Sequence, residues 1–187
     1  TDRSFIGNPF LVDSELINLD ARYERYFDRG QFATAGAFYK DIDKPIESVV
    51  NETGGGLQQS FLNAPRATLY GVEAEFKKFF EFETGTALID GQKWLVAANY
   101  TYTKSRISVA PADAVPVFGA SSSIATDYFR DGDPLTGQSD HIANLQLGLE
   151  DTERLSQQTI LLSYASDRVV SRGLNGSPRQ PDVIERP

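Results

Sequence analysis

The chain has 187 residues, of which 40% are hydrophobic and 24% charged, with a formal net charge of −8 and neither cysteine nor methionine. This balance is that of a folded protein and not of a disordered one. The acidic charge argues against nucleic acid as a partner, and the lack of cysteine excludes disulfides and cysteine-ligated metals. The sequence contains no run of 18 apolar residues, so no transmembrane helix is predicted. This test does not detect strands that cross a membrane.

The first two predicted strands are Glu15–Phe27 and Gly30–Asp43. The first alternates apolar residues with polar ones, and the second is rich in alanine, glycine and aromatic residues. Period-two alternation is the pattern of a strand that has two different faces. The polar positions of the first strand are Asn18, Asp20, Arg22 and Glu24.

Four further strands are predicted by the same alternation: Arg66–Phe80, Lys93–Ser105, His141–Glu150 and Gln157–Ser166. In the first of these, Tyr70, Val72, Ala74 and Phe76 alternate with Gly71, Glu73 and Glu75. The other polar positions used below are Asn99, Asn144 and Gln146. No amphipathic helix is predicted, so the chain is assigned to the all-β class with about six long antiparallel up-and-down strands.

The connections between these strands are unequal in length. Three shorter connections, Asp28–Gly30, Glu81–Gln92 and Asp151–Arg154, fall at one end of the strands. Two long loops, Lys44–Pro65 and Ile107–Gly137, fall at the other end. Strands of ten or more residues with short turns at one end and long loops at the other are typical of outer-membrane β-barrels.

Two structures can place the apolar residues differently. In a transmembrane β-barrel they face lipid and the polar residues face a wet lumen. The predicted lumen-facing residues are then Asn18, Asp20, Arg22, Glu24, Glu73, Glu75, Asn99, Asn144 and Gln146. In the alternative, a soluble antiparallel β-sandwich that binds carbohydrate or protein, the apolar residues are buried in the core.

Several stretches resemble TonB-dependent outer-membrane receptors. They are "GNPFLVDSELINLDARYERYF" (Gly7–Phe27), "FYKDIDKPIESV" (Phe38–Val49), "LYGVEAEF" (Leu69–Phe76), "AANYTYTKS" (Ala97–Ser105) and "DPLTGQSDHIANLQLGLE" (Asp133–Glu150). Each is weak singly, but all five occur in the family's order and together cover nearly the whole chain.

The resemblance implies a 22-stranded barrel in the outer membrane of a Gram-negative bacterium, of which residues 1–187 supply a part. We expect the plug domain and the final barrel strands to lie outside this chain. The family takes up ferric siderophores, cobalamin or saccharides with energy from TonB, which contacts the absent N-terminal region. The implied partners are therefore TonB, a solute such as an iron chelate or saccharide, and outer-membrane lipid, with no cofactor. A barrel piece also has open edges, so edge-paired self-association is expected.

The loop segment "DYFRDGDP" (Asp127–Pro134) is the predicted ligand-contacting tip. Its aromatic and charged side chains offer stacking and ion pairing to a solute: Tyr128, Phe129, Arg130, Asp131 and Asp133. Its aspartates could also hold calcium, although the spacing is not that of an EF-hand.

No enzyme is predicted, and no catalytic or metal-binding residue is assigned. His141 is the single histidine, and the sequence identifies no serine and aspartate partners for it. Glu73 and Glu75 lie on the same face of a strand, and a pair of carboxylates can catalyse glycoside hydrolysis. A solvated strand face accounts for these two residues without any catalytic role.

Overall fold

A computed structural model describes residues 3–53, 56–83, 85–86, 90–117, 122–151, 155–175 and 179–187. Within these ranges the chain is built from β-strands, with one short 3₁₀-helix at Ala125–Asp127. The strands are β1 Arg3–Phe5, β2 Glu15–Asp28, β3 Gln31–Asp43, β4 Ile46–Thr53, β5 Gly56–Asn63, β6 Arg66–Glu81, β7 Gln92–Ser108, β8 His141–Asp151, β9 Ser156–Ala165, β10 Arg168–Gly173 and β11 Val183–Glu185. In these ranges no helix has the length and apolar character needed to cross a membrane.

The six long strands form one antiparallel sheet in the order β2-β3-β6-β7-β8-β9, which we call the wall. Each pairs with its neighbours in the sheet in an unbroken register, apart from one bulge between Tyr26 and Asp28. The predicted boundaries are confirmed to within three residues for all six strands. Both outer strands, β2 and β9, are exposed along nearly their whole length, so the wall has two open edges and does not close.

A second sheet was not predicted. It has the order β1-β5-β4-β10-β11 and contains two parallel pairs, β1 with β5 and β4 with β10. The segment Lys44–Pro65 was interpreted as a loop, but most of it is the hairpin β4–β5. The adjacent polar residues Glu47 and Ser48 of β4 are both buried, on opposite faces of the strand, so its sequence lacks the alternation of a strand with one wet side.

The register gives the wall an apolar face and a polar face. Residues that pair directly across an antiparallel sheet lie on the same face. Tyr70, Val72, Ala74 and Phe76 thus share the apolar face with Leu19, Tyr23, Tyr39, Val96, Tyr100, Tyr102, Leu145, Leu147, Ile160, Leu162 and Tyr164. All nine predicted lumen-facing residues lie on the polar face.

The apolar face is open to its surroundings. Tyr70 and Val72 are 49% and 50% exposed, and no second sheet packs against them. A soluble sandwich would bury these residues in its core. That alternative is therefore wrong for this fold.

The hydrophobic core lies at the end of the wall with the long loops. Here β4, β5, β10 and residues 109–117 and 122–140 pack into one body, which we call the loop unit. Its core residues are Val49, Leu62, Ala64, Val115, Ala125, Tyr128, Phe129 and Leu135, packed on Ala67 and Ile107 of the wall. The segment Ile107–Gly137 thus contains a packed structure and not a solvated loop.

The loop unit covers the upper end of the polar face of the wall. Along the upper end of β7, Thr103, Ser105 and Ile107 are buried, whereas Lys104 and Arg106 between them are exposed. The buried residues belong to the polar face, and Leu135 donates its amide N–H to the Ser105 hydroxyl at 2.9 Å. The loops therefore fold over the polar side of the sheet.

Candidate functional site

The polar face carries a continuous row of hydrogen-bonding side chains at one level. Each of the six strands contributes one residue to this row, in direct register across the wall: Glu24, Thr34, Glu75, Asn99, Asn144 and Ser163. Asn144 donates its Nδ2 to Asn99 Oδ1 at 2.8 Å. Such a row offers donors and acceptors to water or to a polar solute.

Arg22 compensates part of the negative charge beside this row. Its guanidinium lies 2.7 Å from Glu24 and 3.8 Å from Glu75. Asn18, Asp20 and Gln146 occupy other levels of the same face. The structure brings the nine predicted residues to one surface, and their role in lining a lumen stays a prediction.

Glycines on the polar face are covered by side chains from the next strand. Phe38 lies opposite Gly71, where an added Cβ would stand 2.5 Å from the ring and 2.1 Å from the Tyr102 carbonyl oxygen. Glu73 similarly lies over Gly36, at 3.1 Å from a Cβ built there. These close approaches were not predicted from the sequence, although an isolated glycine inside a strand is their usual signal.

Two of the five residues predicted to contact ligand lie inside the loop unit. Phe129 is fully buried, and the buried Tyr128 donates its hydroxyl to the Ser122 carbonyl at 2.7 Å. Burial raises the pKa of the Tyr128 hydroxyl. Both rings therefore have packing roles in this structure, and ligand contact through them stays a prediction.

The three charged residues of this tip have protein partners. Arg106 donates to Asp131 at 2.5 Å, and both side chains are exposed. Arg130 lies 3.7 Å from Asp133 and is exposed. Arg130 and Asp131 are thus the members of the predicted set that reach the surface.

The aspartates of the tip point to separate partners. Asp127 accepts a hydrogen bond from the Ser122 hydroxyl, Asp131 pairs with Arg106, and Asp133 lies beside Arg172. In the described part of the chain no three acidic or histidine residues are grouped as metal ligands. The structure therefore assembles no calcium site from Asp127, Asp131 and Asp133.

A buried ion cluster joins three segments of the loop unit. Arg172 of β10 is 1% exposed, and it lies 2.9 Å from Asp133 and 3.5 Å from Glu47 of β4. The Arg172 guanidinium also donates to the Pro134 carbonyl, and Glu47 accepts the Thr136 amide N–H at 3.0 Å. Burial raises the pKa of the Glu47 carboxyl, although Thr136 and Arg172 act in the opposite direction.

A chain of buried hydroxyl and amide groups lies beside this cluster. Gln59 donates to the Ser48 hydroxyl at 2.8 Å, and the Ser48 and Ser171 hydroxyls lie 2.9 Å apart. These contacts cross from β5 to β4 to β10. None of these contacts was predicted, because residues such as Ser48 and Ser171, 123 positions apart, leave no local pattern in the sequence.

Two asparagines attach the segment before β2 to the loop unit. Asn8 donates to the carbonyls of Phe61 and Pro116, each at 3.2 Å. Asn63 exchanges two hydrogen bonds of 3.0 Å with the backbone of Val12. Asn8, the asparagine of the "GNPFL" stretch, therefore holds the segment before β2 against the loop unit.

His141 lies at the top of β8 in an aromatic group on the apolar face. Its Nδ1 is hydrogen-bonded to the Tyr100 hydroxyl at 2.8 Å, and its ring centroid is 5.1 Å from that of Tyr102. These neighbours are not the hydroxyl and carboxylate partners of a nucleophilic triad.

A comparison with protein-family models matches residues 1–182 to the family described as TonB dependent receptor-like, beta-barrel. A search of the curated proteins and a search of the solved structures each found no match. The barrels of the matched family are outer-membrane receptors and transporters of Gram-negative bacteria, and they are not enzymes. The match extends over the six wall strands and the loop unit, and the chain belongs to the TonB-dependent receptor β-barrel family.

Proposed function

We propose that this chain is the part of an outer-membrane receptor that forms one side of its transport path. The receptor binds a scarce solute at its outer face and releases it inward with energy supplied through TonB. The solute belongs to one of three classes: ferric siderophores, cobalamin or saccharides.

The observation that carries this proposal is the difference between the two faces of the wall. Tyr70, Val72 and their apolar neighbours are exposed, as lipid-facing residues of a barrel are, while the polar row faces the opposite side. The loop unit lies over the polar side, where a lumen would open. The lumen-facing role of the nine polar residues and the outward position of the loops are parts of the proposal.

Arg130 and Asp131 are the proposed solute contacts of the tip, because their side chains reach the surface. Asp133, Tyr128 and Phe129 would support them from inside the loop unit. Substitution of Arg130 by glutamine should weaken solute binding without unfolding the loop unit.

The proposal is tested by topology in intact cells. A protease site is inserted at the exposed turn Pro111–Ala112 of the full-length receptor, and protease is added outside. Cleavage, with the receptor in the outer-membrane fraction, supports the proposal. A receptor in the soluble fraction, or one cut only after the outer membrane is opened, contradicts it. Binding is then screened with iron chelates, cobalamin and saccharides.

A further inference from the structure

A shallow groove crosses the apolar face of the wall. It has a volume of about 590 Å³ and runs over β3, β6, β7, β8 and β9. The groove lies where small side chains stand between larger ones on the same face; the small ones are Ala33, Ala74, Ala98 and Ala143, and Phe76 and Tyr100 are among the larger ones. Side chains of this face are mostly hydrocarbon, so the groove suits an apolar chain better than a polar solute.

The groove is inclined relative to the ends of the strands. Ala33 and Leu162 lie at the same level of the strand register. However, β3 starts at Gln31, two positions before Ala33, whereas β9 starts at Ser156, six positions before Leu162. Both strands start at the end of the wall with the short turns. The groove therefore runs from close to that end at β3 to a deeper position in the wall at β9.

Two cationic side chains lie at the end of the groove closest to the short turns. Arg25 of β2 pairs in register with Ala33, and Lys78 of β6 lies on the same face. The Arg25 guanidinium carbon is 5.6 Å from the centroid of the Phe27 ring. The Lys78 Nζ is 6.0 Å from the same centroid and 5.3 Å from that of Phe80. The two cations thus converge on one aromatic ring beside the groove.

Neither cation is neutralised by an acidic side chain of the described residues. In these ranges no ion pair joins Arg25 or Lys78 to a carboxylate. Three cations at the loop end of the same face each have an aspartate partner: Arg66 with Asp41, Lys104 with Asp140, and Arg106 with Asp131. Positive charge available to an anion therefore lies at the short-turn end of the apolar face.

We propose that the groove and these two cations form a binding site for one anionic phospholipid, in the leaflet on the short-turn side of the membrane. Arg25 and Lys78 bind the phosphate of the headgroup, and one acyl chain lies in the groove. This inference rests on the proposed function, because it takes the apolar face to contact lipid.

The dimensions of the groove fit an acyl chain. Five neighbouring strands at a spacing of about 4.8 Å give it a length of about 19 Å. One leaflet of the hydrocarbon core is about 15 Å thick, so an inclined chain can follow the groove from the headgroup level toward the middle of the bilayer.

The cations are placed to reach a headgroup. Long cationic side chains near the ends of membrane-spanning segments extend toward the headgroups. Arg25 and Lys78 extend in this direction, over Phe27 and Phe80, which lie closer to the short turns. A headgroup with a net negative charge is favoured, because the ammonium group of a zwitterionic lipid would be repelled by the same two cations.

Counting of bound lipids tests the headgroup site. The full-length receptor in detergent is titrated with phosphatidylglycerol, and bound lipids are counted by native mass spectrometry. In Arg25→Gln/Lys78→Gln, we expect one phosphatidylglycerol site to weaken about tenfold, as expected for the loss of two charges at a membrane surface. The matched control is Lys104→Gln/Arg106→Gln, which removes two cations that already have aspartate partners and should leave binding unchanged. Equal losses in the two double variants would overturn the site.

The lipid itself is tested by exchanging it. Phosphatidylethanolamine with the same acyl chains should bind more weakly than phosphatidylglycerol, and Arg25→Gln/Lys78→Gln should not change its binding. Equal binding of the two lipids to the unmodified receptor would overturn the assignment of an anionic headgroup. Loss of lipopolysaccharide binding, instead of phosphatidylglycerol binding, in Arg25→Gln/Lys78→Gln would place the lipid in the opposite leaflet and would also overturn the proposal.

The groove is tested without a change of charge. Ala98→Phe fills the groove and should weaken phosphatidylglycerol binding. Ala37→Phe is the control, since Ala37 lies on the same face but outside the groove and should leave binding unchanged. Equal binding by the two variants would refute the role of the groove.

A spin label separates failure of this site from failure of the proposed function. The label is attached at Val72→Cys, on the apolar face, in an otherwise cysteine-free full-length receptor in lipid vesicles. Oxygen, which partitions into lipid, should relax the label more strongly than a water-soluble nickel complex does. The reverse order would contradict a lipid-facing wall. A lipid-facing label together with unchanged phosphatidylglycerol binding in Arg25→Gln/Lys78→Gln would overturn the phospholipid site alone.

Discussion

Arg172 and Glu47 lie 125 residues apart in the chain and 3.5 Å apart in the structure, both almost wholly buried. Their contact, with Asp133 at 2.9 Å from the same guanidinium, joins β10, β4 and the segment after β7. One arginine thus links the three strand connections that form the loop unit.

Removal of this arginine should destabilise the loop unit. In Arg172→Met, Glu47 loses its cation while remaining buried, which costs about 3–5 kcal/mol. Asp133 loses its nearest cation but keeps Arg130 at 3.7 Å and Arg179 at 3.8 Å. Hydrogen exchange of the loop-unit amides in the full-length receptor measures this loss. The matched control is Arg168→Met on the same strand, whose pair with Glu185 at 2.6 Å is partly exposed and contributes about 1 kcal/mol or less. Equal effects of the two substitutions would contradict the central role of Arg172.

The stability of the loop unit should depend on pH through Glu47. Burial raises the pKa of this carboxyl in the folded state, so folding favours its protonated form. Protonated Glu47 contributes fully to the stability of the loop unit below the pKa of an unfolded glutamate, about 4.3. The contribution is lost as pH rises through the higher folded pKa. The substitution Glu47→Gln should remove this dependence of loop-unit stability on pH. The measurement is hydrogen exchange between pH 4 and 8, corrected for intrinsic exchange rates, and an unchanged slope in the variant would refute the assignment.

Gly71 should tolerate no side chain. A Cβ at this position would stand 2.1 Å from the Tyr102 carbonyl oxygen, and a backbone atom in the middle of a paired strand has little room to move. Gly71→Ala should therefore cost about 3 kcal/mol or more, the upper end of overpacking effects. Gly7→Ala is the control, since nothing lies within 4 Å of a Cβ there. Urea unfolding of the receptor from lipid vesicles compares the two variants.

Arginine substitutions at two neighbouring residues of β3 should destabilise the receptor by different amounts. Ala35 lies on the apolar face and Thr34 on the polar face. In a bilayer, Ala35→Arg should cost about 2–4 kcal/mol, as an arginine at mid-depth on the lipid side does. Thr34→Arg should cost much less, because it enters the polar row between Glu24 and Glu75. Unfolding from lipid vesicles measures both, and a larger cost for Thr34→Arg would reverse the assignment of the faces.

The isolated chain should self-associate through its open edges. β2 and β9 each present an unpaired side of backbone to solvent, and such edges pair with other strands. Sedimentation in detergent should give dimers or larger species that increase with concentration. A chain that stays monomeric at high concentration would contradict this prediction.

The wall was predictable from sequence, and the loop unit was not. Strands such as β6 have one apolar and one polar side, and this alternation marks their ends closely. In β4, Glu47 and Ser48 are buried on opposite faces of one strand, and their partners Arg172 and Ser171 are far away in the chain. Local patterns carry no information about such pairs.

The predicted ligand tip illustrates the same limit. Tyr128 and Phe129 looked like surface aromatics because acidic and glycine residues surround them in the sequence. They are buried because Val49, Leu62 and Ile107, from three other strands, meet at that point. Exposure in a long connection is decided by such tertiary packing, which composition does not reveal.

If the wall spans a membrane as proposed, the unequal lengths of its strands set how far the loop unit projects from it. β7 has 17 residues, and β8 begins opposite Tyr102, so the stretch of β7 beyond Tyr102 extends above its neighbour. At about 3.4 Å per residue and a tilt of about 40°, this stretch rises roughly 15 Å. With the tyrosines at the membrane boundary, the loop unit packs on Ser105 and Ile107 of this raised stretch and on Ala67 of β6 beside it. It would then stand clear of the lipid headgroups, where a solute can approach it from the side as well as from above.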